Sequence, residues 1–375
     1  MTIKKFIFQL HKILGLATGI VVFVVAVTGC CWAFKAEIES LYSDYDTVMV
    51  QDTAVLSPAT AREIAKEIFP EKHVHGTLYG KPDQAIEVIF YELEPEFYQS
   101  VFLNPYSGEV LHVKDHLSGF FAFVLKGHMR LWLPLEIGEQ VVGISILLFV
   151  LIIISGFFLW LPKKRKHLKQ RITFDWKTTT RWKRKNFDLH AIIGFYVAAL
   201  ALILSITGLV MSYGWFQSAV YTTVGGAKDV TFVIPDNQSP KTEASASILP
   251  IDKVFEKVKK QYAAADSFEV HYPFSDTDAI YVEVTNTDGL FYNADFLYFD
   301  QNSLQELDAN TIYGKYADAS VADKILRMNY DIHIGAIGGL LGKILAFTVS
   351  LLVASLPVTG TLLWYGRTYK KGKTK

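Results

Sequence analysis

Four stretches of the chain run 22 residues or more without Asp, Glu, Lys or Arg: 13–34, 141–162, 189–227 and 344–366. A bilayer core of about 30 Å takes roughly 20 apolar residues as helix, so each stretch is long enough to span. Two long mixed segments separate them in pairs. Each of these reads as a helix followed by short alternating strands. The pattern predicts spanning helices within 1–34, 128–162, 189–216 and 328–366. Between them it predicts α+β domains at 35–127 and 217–327, a loop at 163–188 and a tail at 367–375. The expected fold class is therefore an α-helical membrane protein of four transmembrane helices and two α+β domains.

Charge orients this plan. Net charge is zero over the whole chain. Yet the segment before residue 13, the 163–188 loop and the tail together hold 19 of the 37 basic residues and only 2 of the 37 acidic ones. By the positive-inside rule these segments are cytoplasmic and the two α+β domains lie outside. Trp32, Trp160, Trp215 and Trp364 fall at the ends of the apolar runs, as interfacial anchors do. A chain with 51% apolar and 20% charged residues is too apolar to be disordered, and its balanced charge gives no case for nucleic acid. The only cysteines, Cys30 and Cys31, are adjacent, which excludes a disulfide scaffold and paired-CxxC zinc. Residues 27–30 resemble a lipoprotein cleavage box. The third run carries the same Thr-Gly without a cysteine, so the first run is read as an uncleaved helix.

That Thr-Gly belongs to an internal repeat. His11 precedes Thr28-Gly29 by 17 and 18 positions, and His190 precedes Thr207-Gly208 by the same offsets. His128 stands ahead of Gly156 and Trp160, and His333 ahead of Gly360 and Trp364 with one residue fewer to each. Each half is helix, domain, helix, and halves of equal topology are related by an axis along the membrane normal. Four of the ten histidines thus open the spanning segments in matched pairs. Depth pairs His11 with His190 toward the cytoplasm and His128 with His333 toward the outside. Two imidazoles facing each other across a bundle can serve as axial ligands of haem iron. Zinc is the rival, but it normally takes four N, S or O ligands. Gly15, Gly19, Gly194, Gly335, Gly338, Gly339 and Gly342 lie on these segments, where small residues allow close helix packing and leave room for a flat macrocycle. Arg130 and Arg327 stand near His128 and His333 in sequence, and a guanidinium suits a propionate. His73 and His75 alternate as on a strand, but nothing nearby in sequence completes a metal-ligand set.

The segments HKILGL…TGC, GHMRLWL…SGFFLW, HAIIGF…TGL and DIHIGAIGG…TGTLLW resemble the PepSY-associated transmembrane family of bacterial inner-membrane proteins. Residues 101–111 resemble the strand–turn–strand hallmark of a PepSY domain. Residues 297–307 are a degenerate copy that lacks the turn glycine. Characterised members resemble di-haem ferric-siderophore reductases of the ferrioxamine type. The resemblance implies two b-type haems held by His11, His128, His190 and His333, two periplasmic PepSY-like domains, and a ferric siderophore as electron acceptor. No GxGxxG after a strand, no GxxxxGK[ST] and no CxxCH occurs, so a nucleotide-binding module and covalent c-type haem are not expected. The electron donor is then a cytoplasmic partner or a quinol. The basic loop is read as topology signal and lipid contact. The competing expectation is a non-redox membrane protein whose PepSY domains bind or regulate a partner.

Overall fold

A computed structural model describes residues 2–162, 164–240 and 249–368. Its helices include, in chain order, α1 (Ile3–Trp32), α2 (Pro58–Lys66), α3 (Gly119–Arg130), α4 (Leu135–Trp160), α5 (Trp182–Ser212), α6 (Pro250–Gln261), α7 (Asn329–His333) and α8 (Gly339–Thr368). Its strands are β1 (Gly76–Tyr79), β2 (Ile86–Glu92), β3 (Phe97–Leu103), β4 (Val110–Asp115), β5 (Ser267–His271), β6 (Ile280–Thr285), β7 (Asp295–Phe299) and β8 (Glu306–Leu307). Contacts divide the chain into two compact units, 1–35 with 120–217 and 330–375, and 36–119 with 218–329.

The first unit is a bundle of α1, α4, α5 and α8, each long and apolar enough to cross a membrane. With 26 residues the shortest of them, α4, extends about 39 Å at 1.5 Å per residue, more than a bilayer core needs. Helix α1 packs along α4 and α8, and α5 packs along the same two, so α1 and α5 face each other across a diagonal. Val22, Ala26, Phe149, Val197, Ala201, Val349, Val353 and Ala354 fill the middle of the bundle. Gly19 lets α1 approach α8 closely: a Cβ there would lie 3.4 Å from the Pro357 ring.

Three expected boundaries shift. The helix of 128–162 is two helices, because Leu131 and Trp132 both take left-handed backbone between α3 and α4 and Pro134 starts the second. His128 therefore rides on α3, ahead of the spanning helix. The helix of 328–366 is likewise broken, with Gly335 at φ 80° and Gly339 at φ 58° between α7 and α8. A side chain on Gly335 or Gly342 would collide with the other's backbone, so the chain folds back there only because both are glycine. Helix α5 starts at Trp182, inside the segment expected to be loop, and includes a π-helical turn at Leu189–Ile193. Of the tail, only Arg367 and Thr368 lie among the described residues.

The second unit corrects the expectation of two separate domains. All eight strands form one antiparallel sheet in the order β4-β3-β2-β1-β5-β6-β7-β8. The halves join where β1 pairs with β5, in register Thr77↔Val270. Each half-sheet would otherwise expose β1 or β5 as a free edge, and their pairing satisfies both rows of backbone groups. One face is apolar: Val88, Phe90, Val101, Leu103, Val270, Val282 and Val284 pack with Ala61 and Ala65 of α2 and Val254 and Val258 of α6. Asp252 of α6 accepts hydrogen bonds from the Ser57 hydroxyl and the Ala59 N–H at the start of α2, tying the two helices. Strand residues of the other parity, including Glu87, Glu269, His271, Tyr281 and Glu283, project to the opposite face.

Candidate functional site

Within the bundle the four repeat-matched histidines meet in two pairs. The ring centres of His11 and His190 are 6.3 Å apart, and those of His128 and His333 are 6.2 Å apart. Both pairs join one half of the chain to the other, and they are the pairs that depth predicts. His11 and Thr28 are 17 positions apart on α1, so the two pairs lie about 26 Å apart along the bundle.

Every ring is held by the same device. A Ser/Thr-Gly step on a neighbouring helix of the same half supplies a hydroxyl, a carbonyl three residues earlier and a flat patch of backbone. His11 Nδ1 lies 3.1 Å from the Ile152 carbonyl and 3.0 Å from the Ser155 hydroxyl. His128 Nδ1 lies 2.9 Å from the Val25 carbonyl and 3.3 Å from the Thr28 hydroxyl. His190 Nδ1 meets the Thr359 hydroxyl at 3.0 Å and the Leu356 carbonyl. His333 Nδ1 meets the Thr207 hydroxyl at 2.9 Å and the Leu204 carbonyl. The following glycines, Gly156, Gly29, Gly360 and Gly208, touch the rings. A Cβ on any of them would lie 3.1 or 3.2 Å from the imidazole Cε1.

This arrangement has a chemical consequence. A carbonyl only accepts, so each Nδ1 carries the proton and donates it. Each Nε2 then keeps its lone pair, which is the form of imidazole that binds a metal. Two metal–imidazole bonds of about 2.0 Å, plus two ring-centre-to-nitrogen distances of about 1.2 Å, span about 6.4 Å, which matches both pairs. Among the described residues no third His, Cys, Asp or Glu donor joins either pair. A metal that needs four protein ligands is poorly served here. One that brings its own equatorial donors is well served. One turn beyond His11 and His190 stand Gly15 and Gly194. A Cβ at Gly15 would meet nothing within 4 Å, and one at Gly194 only the Leu356 methyl at 3.8 Å. His190 itself sits on the π-helical turn, a local widening of the helix common at functional sites.

The family model for the PepSY-associated TM region matches residues 8–367. The chain belongs to that family. With its four apolar helices it is a multi-pass membrane protein. No curated protein matches it.

The two arginines fare differently from the histidines in this family member. Arg130 closes α3, two residues after His128 in the bundle unit, and is half-buried. Arg327 belongs to the sheet unit and is 3% exposed. Its guanidinium donates to the carbonyls of Gly314 and Ala294 and stacks on the rings of Phe296 and Tyr316. These carbonyls hold its two terminal nitrogens inside the sheet unit, while its Nε is buried without a hydrogen bond, so the partners the fold gives Arg327 are backbone and rings of the sheet unit. Sequence reasoning caught the glycines of the four cradles but missed Ser155 and Thr359 as hydroxyl partners. The signal was present: each stands immediately before its repeat-matched glycine.

Proposed function

We propose that this protein is a di-haem b oxidoreductase of the bacterial inner membrane that passes electrons to a ferric siderophore on the periplasmic side. The observation that carries the reading is the pair of two-donor sites, each with both Nδ1 atoms committed and, among the described residues, no third protein ligand. His11 with His190, and His128 with His333, would hold the two haems, with Arg130 a candidate for an outer propionate. Bound haem supplies a one-electron couple that the side chains themselves lack. The residues do the rest. The Ser/Thr-Gly cradles fix the tautomer and orientation of each imidazole, and hydrogen bonding at Nδ1 raises the basicity of Nε2. The apolar middle of the bundle keeps water from the path between the pairs.

In the net reaction one electron from a quinol or a cytoplasmic carrier reduces one ferric ion to ferrous. The chelate is unchanged and binds ferrous ion more weakly. Charge distribution supports the orientation, with the basic segments on the side of His11 and His190. The test is a reduced-minus-oxidised spectrum with haem extraction on the purified protein. Two non-covalent haems per chain and re-oxidation by an added ferric hydroxamate are expected. Protein free of haem after expression with ample haem supply would overturn the reading in favour of a non-redox binding protein.

A further inference from the structure

The sheet unit holds a second cluster of metal-binding side chains that the relay does not use. His75 precedes β1, and Glu269 and His271 lie on β5. Their ligand atoms all fall within 4.8 Å of one another. The rings of His75 and His271 meet edge to face with centres 4.9 Å apart. His271 Nε2 is buried and makes no hydrogen bond, and the Glu269 carboxyl group lies 3.4 Å from it. An orphaned imidazole nitrogen inside a protein is costly unless something fills its lone pair. Burial and His75 hold His271 down to about 3, and burial with Glu283 and Glu87 pushes Glu269 up to about 8. Both groups are therefore costly to charge without a partner.

The backbone makes room at this point. Gly76 pairs with His271 across the β1–β5 seam. A Cβ on Gly76 would lie 3.1 Å from Glu269 Oε1 and 3.3 Å from His271 Nδ1, so the residue that would crowd both ligands is the one without a side chain. His75 and His271 also line a cavity of about 330 Å³, walled by Phe232, Phe291, Phe296 and Tyr313. Tyr281 stacks on His271 at 4.3 Å and donates to Glu283 at 2.9 Å, fixing the ring from the other side.

We propose that His75, Glu269 and His271 bind one divalent first-row transition-metal ion, with the remaining coordination positions open to this cavity. Two imidazoles and one carboxylate suit zinc or ferrous ion, and three protein ligands leave a position for water or an exchanging ligand. An ion with bonds of about 2.1 Å holds its donors about 3.4 Å apart, so the three side chains close inward by about 1 Å on binding. The site draws one ligand from the first half of the chain and two from the second. It exists only because β1 and β5 pair, and it is independent of the haem reading.

The test uses the full-length protein in detergent, stripped with a chelator, dialysed against Zn²⁺ and analysed for zinc and iron separately. One retained zinc per chain is expected, with affinity falling at least about tenfold in H271A and in E269Q and unchanged in H11A/H190A. G76V, which places a side chain against both ligands, should lose the zinc as well. Thermal melts establish that each variant folds. If H271A does not, the near-isosteric E269Q decides. No zinc in the wild type, equal zinc in wild type and E269Q, or zinc lost with H11A/H190A instead would each overturn the proposal.

Discussion

The bundle and the sheet each bring histidines together from opposite halves of the chain, and they prepare them in opposite ways. In the bundle each Nδ1 is satisfied by a neighbouring helix, so the tautomer is fixed and each Nε2 keeps its lone pair. In the sheet His271 Nε2 is left without a partner beside a carboxylate. The bundle sites have two donors and the sheet site has three. The first arrangement suits a metal whose equatorial positions are already filled. The second suits a bare ion. The difference comes from the elements. Helices offer a carbonyl and a hydroxyl one turn apart to clamp a ring, whereas strand pairing sets side chains from different strands side by side on one face.

The largest expected effect tests whether the bundle pairs are two separate sites. Replacing His11 and His190 together by alanine should remove one of two haems, and replacing His128 and His333 should remove the other. The second change should also abolish reduction of a ferric chelate added from outside. Pyridine haemochrome quantitation and stopped-flow re-oxidation read both. Loss of both haems from either double variant would mean that the two pairs are one cooperative structure and not a relay.

Next in size is the cradle. Gly29→Leu or Gly208→Leu forces a branched side chain into a ring that already lies where a Cβ would be 3.1 or 3.2 Å away. The outer haem should be lost, or drop to a small fraction of a full equivalent, with the inner haem kept. Gly15→Ala is the matched control, since a Cβ there has no neighbour to strike. It should fold normally, and any loss of inner haem would show that this open face is occupied by the macrocycle. An unchanged haem spectrum in Gly208→Leu would mean that the ring has freedom the cradle does not limit.

Smaller again is the hydroxyl. Thr207→Val removes one of the two acceptors of His333 Nδ1 and leaves the Leu204 carbonyl. Changes to such supporting groups typically cost about 10- to 100-fold in metal affinity, and with one acceptor kept the low end is expected. The outer haem's potential should shift while the inner one holds. Potentiometric titration of both haems in the variant separates these. A shift in the inner haem alone would contradict the pairing.

Much of this was legible in the chain, and the illegible parts share a cause. The spans, the repeat and the four histidines follow from local composition and from spacing within one helix. His75 was visible, but Glu269 and His271 lie nearly two hundred positions away, and only strand pairing brings them together. Two domains looked separate because each half carries its own helix and strands, and nothing in either half announces that its edge strand will be shared. Arg327 was read from its nearness to His333 in sequence, and that spacing gave no sign of the carbonyls and rings on which the sheet unit anchors it. The degenerate PepSY turn is instructive. Where the first copy has Gly108 at φ 77°, the second has Leu304 at φ 58°, so the turn survives the loss of its glycine. What holds it is a carboxylate.

That carboxylate gives the smallest expected effect and keeps the two units distinct. In the first copy Asn104 Oδ1 accepts from the Tyr106 and Ser107 N–H groups. In the second, Asp300 Oδ1 accepts from Asn302 and Ser303, and Oδ2 accepts from Gln238 and Ser239. Burial alone would push Asp300 upward, but these four donors outweigh it and hold the group well below the usual carboxylate range. A depressed carboxylate stabilises the fold above its unfolded value of about 3.9 and loses that contribution as pH falls through its folded value. Asp300→Asn should therefore cost about 2 kcal/mol near neutral pH, and the gap to wild type should narrow on acidification below about pH 4. All seven tryptophans lie in the bundle unit, so their emission reports that unit while far-UV circular dichroism follows the sheet as well. The variant's loss should appear in the sheet signal with tryptophan emission and haem content unchanged. A difference from wild type that stays constant from pH 7 down to pH 3 would show that the Asp300 charge does not hold this turn.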